Sequence, residues 1–384
     1  MERKALCPTP PMGWNTWNTF ADNINEELIR TSADAMVEQG LLDAGYQYLV
    51  IDDCWDKKER DEEGRLVADP ERFPSGMKAL ADYVHSKGLK FGMYSCCGTK
   101  TCAGYPGSFG HEFEDAEQFA SWGVDYLKYD NCYKPRTQEC ALLYRRMGMA
   151  LANCGRDIVF SACQWGTENV HEWIRSTGAH LFRSTGDIQD SWASIETLAR
   201  SQMDKLAYGA NYCHNDMDML VVGIHGKAGN DFISAGGCTD EEYQTHFALW
   251  VMMNSPLMIG CDVRSMTAKT KEILTNRDLI AINQDIECRS AYRVQGNWSP
   301  DTFTLIKMLS GGDYAVAYFN FGDVAANVSL EFWDMGLPVR RDLGLEFYDC
   351  YTHETIGVKR ETFAPVVPAH GSRVYRCRLV RTNG

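Results

Sequence analysis

The sequence predicts an α/β chain: a (β/α)8 TIM barrel followed by a C-terminal antiparallel β-sandwich domain. Three observations lead there. Up to about residue 290, short apolar runs alternate with longer helical patterns, which is how a parallel sheet with crossover helices reads. Eight such runs can be counted, the number that closes a barrel. Beyond residue 290 the helical pattern gives way to strand-like runs separated by turn signals. The 384 residues therefore divide at 1–290 and 291–384.

The runs fall in order. Met12-Gly13-Trp14-Asn15 is the first, and Tyr48-Leu49-Val50-Ile51 is the second, ending at Asp52-Asp53. Leu89–Tyr94 is the third. The fourth begins at Val124 and ends in Lys128-Tyr129-Asp130-Asn131-Cys132. Ile158–Ala162, His180–Arg183, Ala210–Cys213 and Pro256–Ile259 complete the eight. Helical stretches such as Glu26–Ala44 and Asp115–Trp122 lie between them. The barrel pattern ends just after Ile282-Asn283-Gln284-Asp285. The second unit contains runs at Phe303–Met308, Tyr314–Phe319, Ser329–Phe332, Leu345–Tyr348 and Ser372–Cys377, with Gly311-Gly312-Asp313 as one of its turns.

Composition narrows the functional class. Hydrophobic residues make up 45% of the chain, enough for a large core. A net charge of −14 leaves no basic surplus to neutralise phosphates, so neither nucleic acid nor an anionic membrane is expected as partner. No apolar run reaches the roughly 18–20 residues of a membrane span. The N-terminus lacks the apolar core of a signal peptide, so the expected location is cytoplasmic unless a leader was removed. The 15 cysteines are an odd number, which argues against a complete disulfide framework. Asn297-Trp298-Ser299 and Asn327-Val328-Ser329 match the N-glycosylation pattern, which has meaning only in a secreted chain. A homo-oligomer remains compatible with the sequence.

Side chains at the carboxyl ends of parallel strands line the active sites of such folds. Trp17, Asp52, Asp53, Tyr94, Lys128, Asp130, Gln164, Trp165, Arg183, Asp187 and Asp218 all fall there. Five carboxylates among two cations and several aromatics suit glycoside hydrolysis. Two acids do the chemistry, others hold sugar hydroxyls, and a ring stacks on the sugar's C–H face. Plainer readings exist. Asp130 could cap the next helix, and Asp52-Asp53 could be an ordinary strand-to-helix loop. A carboxylate cluster could hold Mg²⁺ or Ca²⁺, but Lys128 and Arg183 would compete with the metal. Cys96, Cys97 and Cys102 match no paired zinc spacing. His214 and His225 read as core or loop histidines, and Ser234-Ala235-Gly236-Gly237 lacks the lysine of a phosphate loop. No metal and no cofactor are expected.

Six motifs then carry a resemblance. Pro11–Trp17 (PMGWNTW), Ile51–Trp55 (IDDCW), Gly98–Ser108 (GTKTCAGYPGS), Lys128–Cys132 (KYDNC), Asp187–Trp192 (DIQDSW) and Asn215–Leu220 (NDMDML) occur in this order. Together the chain resembles the α-galactosidases of glycoside hydrolase family 27 over essentially its whole length. The resemblance implies an exo-acting enzyme that hydrolyses terminal α-linked galactose with retention, on a small-molecule α-galactoside. Asp130 matches the nucleophile and Asp187 the acid/base, a pair that should sit about 5–5.5 Å apart. Asp52 and Asp53 match residues binding the sugar's 4- and 6-hydroxyls. Lys128, Asp218 and Cys102 match sugar-pocket positions, Arg183 lies near the 2-hydroxyl, and Trp17 and Tyr94 match pocket walls.

The resemblance also carries expectations about charge and specificity. Lys128 should keep Asp130 ionised, while neighbouring negative charge should raise the pKa of Asp187. Cys163-Gln164-Trp165-Gly166 resembles the loop version whose Trp blocks an N-acetyl group, favouring galactose over N-acetylgalactosamine; Gln164 stands where many relatives have Glu. Cys102 and Cys132 match a pair bridged in secreted relatives. Cys54 and Cys163 lack their usual partners. A non-catalytic galactoside-binding protein is the alternative of another class, and the intact pair Asp130 and Asp187 argues against it.

Overall fold

The computed structural model describes residues 5–295, 299–338 and 342–382. Asn297 and Trp298, from the first glycosylation match, lie outside these. Eight short strands form one parallel sheet: β1 (Met12–Asn15), β2 (Tyr48–Val50), β3 (Lys90–Cys96), β4 (Tyr126–Asp130), β5 (Val159–Cys163), β6 (Leu181–Arg183), β7 (His214–Asp216) and β8 (Leu257–Ile259). Their order is β7-β6-β5-β4-β3-β2-β1-β8. The ring closes just past β7, where Leu220 bridges Ile259 in parallel. There Leu220 N donates to Met258 O at 2.7 Å and Gly260 N donates to Leu220 O at 3.0 Å.

The strands read as apolar runs because both of their faces are covered. Side chains alternate between the barrel interior and the helix-facing side. Tyr48, Val50, Tyr126, Val159, Leu181 and Met258 share the interior cluster, while Leu49, Phe91, Leu127, Phe160 and Phe182 pack in the outer core. The alternation has a direct consequence for the site. Lys128 and Asp130 keep the phase of Tyr126, Ser161 and Cys163 keep that of Val159, and Arg183 keeps that of Leu181. The interior face is thus apolar at the bottom of the barrel and charged at the top.

Two expected elements of the barrel shift. The helix expected over Glu26–Ala44 starts at Glu26, with the Asn25 side chain accepting from Leu28 N. It stops at Glu38, because Gly40 adopts a left-handed φ of 76° and starts a separate short helix, Leu41–Ala44. The strand expected at Ala210–Cys213 is a tight turn with Tyr212 at φ 64°, and β7 begins one residue later. Asp130 caps no helix, since the next one starts only at Cys140. This removes the plainer reading of that residue.

The last barrel helix is Arg277–Asn283, and the second sheet starts at Tyr292. Its six antiparallel strands run in the order 354–359, 343–349, 371–381, 314–320, 302–308, 292–295. Two small two-stranded sheets, 326–327 with 366–367 and 330–331 with 362–363, lie with it. Of the strand expected at Ser329–Phe332, only Leu330 and Glu331 pair; Phe332–Met335 is a 3-10 turn.

The two units share one core. Phe303, Leu305, Phe319 and Val374 of the sandwich belong to the cluster that includes the barrel helices. Lys307 is fully buried at this junction. Its Nζ donates to Asn254 Oδ1 and to Ile282 O, each at 2.5 Å. Burial pulls its pKa down to about 8. Between that value and the roughly 10.4 of a free lysine, the unfolded chain holds more protons than the folded one. The contribution of Lys307 to stability therefore rises with pH across this window. Lys307→Met should cost about 1–3 kcal/mol at neutral pH by orphaning two buried acceptors. The gap to the parent should widen between pH 8 and 10 in denaturant titrations.

Candidate active site

Loops at the carboxyl ends of the barrel strands enclose a pocket of about 220 Å³. That is smaller than the roughly 300–1,000 Å³ typical of drug-sized ligands and suits a single small polar ring. Asp52 and Asp53 follow β2, Tyr94 stands on β3, and Lys128 and Asp130 stand on β4. Trp17, Cys102, Trp165, Arg183, Asp187 and Asp218 complete the expected residues that line it.

The deep end is an ion pair. Lys128 Nζ lies 2.7 Å from Asp52 Oδ2, with side-chain exposures of 15% and 2%. Asn15 Nδ2 donates to the same oxygen at 2.7 Å. Burial alone would lower the pKa of Lys128, but the Asp52 carboxylate outweighs it and raises it. Asp53 accepts from Cys54 N at 2.7 Å and Ala103 N at 2.9 Å. Its burial still pushes its pKa up to about 6.

Asp130 is held by short donors rather than by a cation. Tyr94 OH donates to Oδ2 at 2.9 Å and Asn131 N to Oδ1 at 2.8 Å. Cys102 Sγ lies 3.7 Å from Oδ2, and Cys102 is bridged to Cys132 with Cα atoms 5.2 Å apart. The loop carrying Cys102 lies against the exit of β4: a Cβ on Gly98 would sit 2.0 Å from Cys132 O.

Arg183 is the second cation. Its Nη2 pairs with Asp187 Oδ1, and its Nη1 lies 3.1 Å from Asp218 Oδ1. Asp218 sits at φ 84°, and its Oδ2 accepts from Ile188 N at 2.7 Å. These contacts reverse the expected charge pattern. Burial raises the pKa of Asp130, and Lys128 with the two donors only partly offsets it. The Asp187 side chain is exposed at the pocket mouth; partial desolvation by the surrounding walls works to raise its pKa, but the Arg183 guanidinium lowers it below the usual carboxylate value. The cause is positional: Lys128 is committed to Asp52, and Arg183 leans on Asp187.

Gln164 is corrected. It does not line the pocket; it is buried on the outer side, with Nε2 donating to Thr167 Oγ1 at 2.5 Å. Alternation puts Cys163 in the pocket instead, opposite Asp130 in the strand register, with Arg183 Nη1 3.7 Å from its sulfur. The period-two phase of β5 was the signal for it. Asn18, Asn230, Phe232 and Ile233 also line the pocket. Asn18 stands on the short helix Trp17–Phe20 beside the expected Trp17, and the other three belong to the short helix Asp231–Ser234 and its cap, whose course the sequence did not reveal. His214 is a core residue, its Nε2 2.9 Å from Cys7 O. Among the described residues, the only His, Cys, Asp and Glu group with ligand spacing is Cys102, Asp130 and Cys132, and its two sulfurs bond each other.

The family model described as alpha galactosidase A matches residues 9–285, and that of the alpha galactosidase C-terminal beta sandwich domain matches 301–377. The chain belongs to the alpha galactosidase A family. Family relatives confirm the match along the chain. Alpha-galactosidase 3 of Arabidopsis thaliana is 44% identical over 96% of this chain and 82% of its own length. The crystal structure of alpha-galactosidase I from Mortierella vinacea superposes with a TM-score of 0.92 at 35% identity, covering all of both chains. The Saccharomyces cerevisiae alpha-galactosidase structure with raffinose gives 0.86 at 31% identity, over 97% of this chain and 98% of that one.

The ion pair at the bottom of the pocket generates a prediction. Lys128→Met leaves Asp52 buried without its counter-charge, so unfolding free energy should fall by about 3–5 kcal/mol. Thermal or denaturant unfolding measures this directly. Lys128→Met with Asp52→Asn together should recover part of the loss.

Proposed function

We propose that this protein is an exo-acting, retaining α-galactosidase that removes terminal α-linked galactose from small galactosides. The observation that carries the reading is the pocket itself: one sugar-sized cavity, closed below by Lys128, Asp52 and Asp53, with Asp130 and Asp187 both lining its walls. The Asp52 and Asp53 carboxylates suit two hydroxyls of the non-reducing sugar. Asp130 attacks the anomeric carbon while the bond to the leaving oxygen breaks and Asp187 gives that oxygen its proton. Asp187 then takes a proton from water, and the water oxygen displaces Asp130 from the sugar. Two inversions give net retention. Trp165, on the lip after β5, fills the side where an N-acetyl group would project, which supports galactose over N-acetylgalactosamine. The odd total of 15 cysteines, which cannot form a complete disulfide framework, supports a reducing compartment such as the cytoplasm.

The first assay is hydrolysis of p-nitrophenyl α-galactoside beside its α-N-acetylgalactosaminide, with NMR of the first-formed anomer. Fast release from the first alone, as α-galactose, is expected. Release of β-galactose would contradict the retaining assignment, and preference for the second glycoside would contradict the role of Trp165. Asp130→Asn should lower kcat by more than about a thousandfold with the fold intact by circular dichroism.

A pH profile tests the charge pattern. The reaction needs Asp187 protonated and Asp130 ionised, whereas the Arg183 pair favours ionised Asp187. Removing the guanidinium in Arg183→Met should raise the Asp187 pKa. The alkaline limb of kcat/KM, which reports the free enzyme, should then move to higher pH even as the rate falls. A limb that stays in place would separate Asp187 from the acid role.

A further inference from the structure

We propose that Phe232 is the stacking platform for the leaving group, forming with Trp165 a second sugar site beside the acid/base carboxylate. This rests on the hydrolytic reading above and names the chemistry on the far side of the bond being broken. Phe232 lines the pocket, yet it is 58% exposed, an aromatic ring left facing solvent at the mouth.

Its position is fixed rather than accidental. Asp190, fully buried, ties the loop after β6 to the loop after β7. Its Oδ2 accepts from Gly226 N at 2.7 Å, its backbone O accepts from Gly237 N at 2.9 Å, and its N donates to Ile233 O at 2.7 Å. Tyr243 OH donates to its Oδ1 at 2.8 Å. Next to it, Gln189 Nε2 donates to Phe232 O at 2.8 Å. Asp187 lies on this same β6 loop. The group that protonates the leaving oxygen and the exposed ring are therefore parts of one braced lip.

Geometry then assigns the occupant. The leaving group begins at the oxygen that Asp187 must reach, so it extends over the surface beside Asp187. Strands β5, β6 and β7 are neighbours, which places Trp165, Asp187 and Phe232 on three successive loops, the acid between two aromatics. Trp165 is held at φ 67°, with Gly166 N donating to Arg183 O at 3.2 Å. Two aromatic faces around a polar carboxylate suit a pyranose ring, which offers C–H faces to the rings and hydroxyls to the rim. A lipid would need a wide continuous apolar patch instead.

The test compares melibiose, whose leaving group is glucose, with α-galactosyl fluoride, whose leaving group is too small to reach Phe232. In Phe232→Ala, the ratio of kcat/KM for melibiose to that for the fluoride should fall by about fivefold or more. Phe232→Trp should restore or raise it. A ratio that does not change in the alanine variant, or that the tryptophan fails to restore, would overturn the platform. Equal losses on both substrates would make Phe232 a support of the loop and likewise overturn it. A wild-type protein that leaves α-galactosyl fluoride intact would overturn the hydrolytic reading itself, which separates the two failures.

Discussion

The site depends on how two buried cations are shared among more carboxylates than they can neutralise. Lys128 is spent on Asp52, and Arg183 is divided between Asp187 and Asp218. Asp130 keeps only neutral donors at contact distance. A buried carboxylate without its own cation is costly to ionise, so its proton affinity rises. One accounting of charge therefore explains why Asp130 is raised and Asp187 lowered. It also explains why the pocket tolerates so many acids: each has a cation or backbone and side-chain donors at hand.

This arrangement makes the sugar part of the electrostatics. The Arg183–Asp187 contact occupies the acid with a guanidinium, and Asp187 is 61% exposed at the side-chain level. A hydroxyl arriving beside Arg183 would draw the guanidinium's hydrogen bonds toward itself and free Asp187 to hold a proton.

Much of the fold was readable because the strands carry the period-two and apolar signals strongly. β1 to β6 and β8 lie within a few residues of their expected places. β7 was displaced because three residues with His, Asn and Asp carry no apolar signal, while the adjacent Tyr212-Cys213 does. The helical pattern over Glu26–Ala44 continues through Gly40, but the left-handed φ of that glycine ends the first helix at Glu38. In the site, residues on strands or directly after them were found, since alternation fixes which way they face. Gln164 was misdirected by one position of that same alternation. Asn230 and Phe232 reach the pocket through a segment after β7 whose path only tertiary hydrogen bonds, such as those of Asp190, determine.

The junction at Lys307 has a bearing on how the molecule comes apart. Phe303, Leu305, Phe319 and Val374 are packed into the same cluster as the barrel helices, and a buried ammonium fastens Asn254 and Ile282 to the sheet. Cutting the chain between barrel and sandwich would bare that apolar surface and strand the acceptors together. The two units are separate in topology but joined in energetics, so they should melt as one cooperative body. Exchanging the sandwich between relatives would then succeed only where the exchanged sheet brings the residues that face the barrel along with it.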